Sequence, residues 1–101
     1  MNILKQHLTI DNDLSFVSFY CSLEQFKERF GFLPDTLKIG LDNLDVAKSI
    51  LKHIEPKDYE ELKDKIDLRF IFKLDENFKK YYWEVSKMVG DVEYILYSEG
   101  A

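Results

Sequence analysis

Cys21 is the single cysteine of the chain, and it is the one residue placed as a nucleophile would be. On the sequence it stands where a strand over 14–20 gives way to a helix, and the positive end of a helix dipole lowers a thiol pKa. Its neighbours favour a packing role instead. Cys21 directly precedes Ser22, read as a helix N-cap, and Phe26 takes the fourth helical position, the spacing of a hydrophobic staple. A redox pair needs a second cysteine where Glu24 stands, and a Cys-x5-Arg phosphate loop needs arginine where Lys27 stands. Leu23 and Phe26 are also too bulky for a loop that aims backbone amides at an anion. The expectation is a structural Cys21, with a small thiol-dependent enzyme using Cys21 as the alternative.

Three further patterns resemble ligand sites and fall short. Asp11-Asn12-Asp13 with Ser15 opens like a calcium loop, but the sixth and twelfth positions hold Phe16 and Ser22 rather than Gly and Glu. An Asx-type turn accounts for those residues. The two histidines, His7 and His53, are too few for a histidine-based metal centre, and His53 sits where a protonated imidazole caps the last turn of a helix. Gly40 lies between a strand and a helix, as in a phosphate loop. It is followed by Leu41-Asp42-Asn43-Leu44-Asp45, whose carboxylates would repel the anion. No cofactor and no metal is expected.

Trp83 carries the expected binding site. If 76–89 is a helix, Phe78, Tyr81, Tyr82, Val85, Met88 and Val89 share one face within about 120°. Trp83 then projects about 140° from Phe78, flanked by Lys79 and Lys87 at the i−4 and i+4 positions. An outward tryptophan between two cations suits a protein interface, where Trp is enriched. The competing reading makes the segment a strand, with Trp83 pointing inward.

These residues need elements to hold them. Ile66, Leu68, Phe70, Phe72 and Leu74 alternate with Asp67, Arg69, Ile71 and Lys73, the period-two pattern of a strand whose even-numbered residues face the core. The same pattern marks strands at 92–97, 36–41 and 14–20, and an extended 4–10 would pair with 14–20 as a hairpin. Helices are expected from the Ser22–Gln25 capping box to a Gly31 stop, burying Leu23, Phe26 and Phe30. A second runs from Asp42 with Leu44, Ala47, Leu51 and Ile54 inward. A third, short helix opens at Pro56, carries Tyr59 and Leu62, and pairs Glu61 with Lys65. The fourth spans Asp75 to Gly90. The fold class is α/β, or a two-layer α+β arrangement: one globular domain over 1–101, with a mixed sheet of four to five strands and about four helices.

Composition agrees with a folded domain. The 101 residues are 46% hydrophobic and include fifteen aromatics, with a net charge of −5 from 19 acids and 14 bases. With two arginines, Arg29 and Arg69, the chain lacks the basic patch that phosphate neutralisation demands, so no nucleic acid is expected as partner. No secretory leader and no membrane-spanning run is legible, so the expected location is cytoplasmic and no membrane contact is expected. The reading that remains is a non-catalytic protein-interaction module: a small cytoplasmic accessory, inhibitor or regulatory protein of the kind phages and mobile elements carry. Its partner would be another protein or a second copy of the chain.

Overall fold

The computed structural model describes residues 2–9, 13–53 and 71–98. Their elements run β1 (Asn2–His7), α1 (Phe16–Phe30), β2 (Thr36–Ile39), a 3-10 turn (Leu41–Asn43), α2 (Leu44–His53), β3 (Ile71–Leu74), β4 (Trp83–Val89) and β5 (Val92–Tyr97). The strands form one mixed sheet in the order β1-β5-β4-β2-β3. β4 runs antiparallel to both of its neighbours, while β1 pairs parallel with β5 and β3 parallel with β2. The arrangement is α+β, with two α-helices among the described residues where about four were expected. The short helix expected from Pro56, with the Glu61–Lys65 pair, lies outside the described residues, as do Ile66, Leu68 and Phe70.

Three expectations are corrected. Residues 16–20 are not a strand but the first turns of α1, and the N-terminal hairpin therefore does not form. Phe16-Val17-Ser18-Phe19-Tyr20 has strand-like composition, but Phe19, Ser22, Leu23 and Phe26 recur at helical spacing and all are buried. The helix begins one box earlier than Ser22. Ser15 Oγ accepts from the Ser18 amide at 3.1 Å, and Ser18 Oγ accepts from the Ser15 amide at 2.7 Å. Leu14 and Phe19 then hold the staple positions, and both lie in the core. Gly31, with φ 87°, ends α1 as expected, its amide donating to the Lys27 carbonyl at 2.8 Å.

The second correction is the largest. The segment read as a helix over 76–89 is a turn followed by β4, and Gly90 is the hairpin residue rather than a helix stop. Gly90 has φ 62°, and Val89 pairs with Val92, leaving Gly90 and Asp91 as a two-residue turn. Trp83 pairs with Ile39, and Val85 stands between Leu37 and Leu96. Pairing on both sides, with every one of those side chains buried, outweighs the amphipathic pattern of the isolated segment.

The third concerns β3. Phe72 packs against the core, but Leu74 is exposed at the sheet edge, so the even-numbered face is only partly inward.

Both described helices cover the same face of the sheet. Phe19, Leu23 and Phe26 of α1 and Ala47 and Ile50 of α2 join Leu37, Ile39, Trp83, Val85 and Leu96 in one core cluster. Among the described residues, no helix is long and apolar enough to cross a membrane.

Candidate functional site on the open sheet face

Side chains alternate across a sheet, so the pairing register states which residues share the face that the two described helices leave open. One crosswise row of directly paired residues reads His7, Tyr97, Glu84, Lys38, Lys73, one from each strand. Every member carries a titratable group. The adjoining row is Lys5, Ile95, Ser86, Thr36 and Ile71, of which Ile95, Ser86 and Thr36 are buried, and beyond it lie Ile3, Glu93 and Met88. Tyr82, just before β4, falls on the same face as Glu84.

These groups bind one another closely. Tyr82 donates its phenol to Glu84 Oε1 at 2.8 Å, and Lys5 Nζ lies 3.3 Å from the same oxygen. The Glu84 side chain is 8% exposed, so its charge depends on these two partners. A hydrogen bond to Tyr82, and then the charge of Glu84, holds the Lys5 ammonium above its ordinary pKa against the opposing effect of burial. Burial raises the Tyr82 phenol as well, since a buried phenolate would lose its hydration.

Aromatic rings form a line through the cluster. His7 and Tyr97 lie 5.4 Å apart, Tyr97 and Tyr82 stack at 5.9 Å, and Tyr82 meets Phe78 edge-on at 4.7 Å. Lys5 sits over the Tyr97 ring at 5.0 Å and the Tyr82 ring at 5.4 Å. Lys38 lies 5.4 Å from the Phe78 centroid and 3.6 Å from Asp75 Oδ2. The turn that supplies Phe78 is pinned from below. Asn43 donates to the Lys80 carbonyl at 2.6 Å, and the Phe78 carbonyl rests against Gly40.

The residues expected to act lie elsewhere. Trp83 is fully buried in the core, so no aromatic face exists there for a partner. Its amide donates to Ser98 Oγ at 2.8 Å. Lys79 is exposed in the turn before β4, and Lys87 pairs with Asp35 at 3.5 Å on the helix-covered side. The three do not meet. Cys21 is half-buried within α1, more than a turn past its start, so neither the dipole argument nor the staple with Phe26 applies to it. Ser15 is the α1 cap, and Asp42 lies in the 3-10 turn. Among the described residues, no three His, Cys, Asp or Glu side chains gather as a metal site would require.

A concavity of about 490 Å³ opens between the start of α1 and α2, lined by Leu14, Ser15, Phe16, Asp45, Val46, Ser49 and Ile50. Ser15 there is committed to the helix cap. The open-face residues were missed because they become neighbours only once 83–89 is read as a strand. The alternation of Tyr82, Glu84 and Ser86 against Trp83 and Val85 was the signal that could have found them. No family model, curated protein or solved structure matches this chain.

Proposed function

We propose that this chain is a non-catalytic protein-interaction module that binds a partner protein over the open face of its sheet. The observation that carries this reading is the row His7, Tyr97, Glu84, Lys38, Lys73, lying across all five described strands of a sheet whose two described helices pack on the other face. Aromatic rings and long cationic stems supply contact area at interfaces, and rigid strands hold them in register. The bonds among Lys5, Tyr82 and Glu84 order the side chains before any partner arrives, which lowers the entropy cost of association. Ile3, Met88 and Ile71 add exposed apolar surface around this polar centre.

The test compares three baits in a pull-down from the source cell. Lys38→Glu with Lys73→Glu alters the open face, and Val17→Ser with Lys48→Glu alters the helical side. A protein retained by the wild type and by the helical-side variant, but lost by the open-face variant, supports the reading. Retention by the open-face variant and loss by the helical-side variant overturns it.

A further inference from the structure

The edge strand β1 has a second surface, formed by its backbone. All six of its residues are exposed. The amides of Asn2 and Leu8 donate to the Asp91 and Tyr97 carbonyls, at 3.0 Å and 2.7 Å, so even-numbered residues point their backbone groups at β5. Ile3 and Lys5 therefore point theirs away from the sheet. The far end of this edge is closed. Arg29 donates to the His7 carbonyl and, at 3.0 Å, to Thr9 Oγ1, while Gln25 and Thr9 exchange hydrogen bonds at 3.1 Å and 3.2 Å. Among the described residues, what stays open is the stretch from Asn2 to Gln6.

Protected edges carry proline, a bulge or an outward charge. This one has none of these devices in force. Its lysine, Lys5, leans inward to Glu84 and the two tyrosines, clearing the backbone at the edge. Ile3 is 60% exposed and Leu4 46% exposed, one on each face.

We infer that β1 pairs antiparallel with β1 of a second copy of this chain, joining two sheets into one. The sequence of the edge is complementary to itself in the register that pairs Asn2 to Gln6 in full. With Leu4 opposite the partner's Leu4, Ile3 faces the partner's Lys5 and Asn2 faces the partner's Gln6. The outward backbone groups of Ile3 and Lys5 then bond across the seam. Leu4 covers its counterpart on the helical side, and Ile3 lies along the partner's Lys5 stem on the other. Sliding by one residue on each strand would set Lys5 against the partner's Lys5, a like-charge opposition that antiparallel sheets disfavour. The pairing is independent of the open-face reading, and it brings the two open faces side by side on one surface.

The test uses the full chain and sedimentation over a wide concentration range. The wild type is expected to shift from monomer to dimer. Ile3→Pro removes an amide unused within the sheet, so it should abolish the dimer while the monomer stays folded by circular dichroism. Should that variant fail to fold, the register supplies a second comparison. Ile3→Lys should lose the dimer, and Ile3→Glu, facing the partner's Lys5, should keep it. In a Cys21→Ala background, Leu4→Cys should form an intermolecular disulfide on mild oxidation, because directly opposed residues in a non-hydrogen-bonded pair come within disulfide range. A wild type that stays monomeric throughout overturns the inference. So does a dimer indifferent to Ile3→Lys, or one that Leu4→Cys cannot trap.

Discussion

Tyr82 Oη and Glu84 Oε1 lie 2.8 Å apart, two residues from one another on the same side of the chain. That hydrogen bond joins the turn before β4 to the strand itself and gives a nearly buried carboxylate one of its two partners. Tyr82→Phe leaves the ring stack in place and removes the donor. The expected loss is ~1–3 kcal/mol, the usual range for a hydrogen bond to a charged group, read as a lower urea midpoint. A midpoint equal to that of the wild type would show that water serves Glu84 as well as the phenol does.

Alkaline stability should reflect the same cluster. Both Lys5 and Tyr82 hold their protons more tightly in the folded chain than their ordinary values imply. The folded state therefore binds more protons than the unfolded one once pH passes about 10, so stability is full below that point and falls above it. Urea unfolding from pH 7 to the alkaline range checks this. Tyr82→Phe should flatten the alkaline decline; an unchanged slope would place the lost proton elsewhere.

Trp83 should behave as a core residue. It opens β4 opposite Ile39 and is fully buried, so Trp83→Ala should cost ~3–5 kcal/mol. Its emission in the folded chain should be blue-shifted and should move to the red on unfolding. Val17→Ser, at a position 70% exposed on α1, is the control and should change stability little.

The contrast between Trp83 and its expected role shows what the sequence carried and what it did not. The strand read over 36–41, which ends at Ile39, and the strand at 92–97 were legible, because alternation there meets no competing pattern. The latter half of α1 and its Gly31 stop were legible for the same reason, and so was α2. Residues 83–89 were not, since six apolar side chains also fit one helical face and the strand is chosen by pairing with β2 and β5. Glycine deepened the ambiguity. A helix stop and a two-residue hairpin both require positive φ, met by Gly31 at 87° and by Gly90 at 62°. The candidate site followed from the strand, so it was hidden with it.

Gly40 offers a test of how the site is held. Its backbone is ordinary, but a Cβ there would run into the Phe78 carbonyl. Gly40→Ala should displace the turn carrying Phe78 and Tyr82 and cost ~1–3 kcal/mol through overpacking. Nuclear magnetic resonance shifts at Tyr82 and Glu84 should move more than those at Phe26. An undisturbed Tyr82 would show that the turn is positioned by Asn43 alone.

Lysine labelling of the complex reads, side chain by side chain, whether a partner meets the open face. Lys5, Lys38 and Lys73 lie on that face, whereas Lys27 and Lys48 are exposed on α1 and α2. Reductive methylation of the free chain and of the partner-bound chain gives the protection at each site. Protection is expected at Lys38, Lys73 and Lys5, with Lys27 and Lys48 as reactive as in the free chain. Protection confined to Lys27 and Lys48 would put the partner on the helical side and rule out the open-face interface.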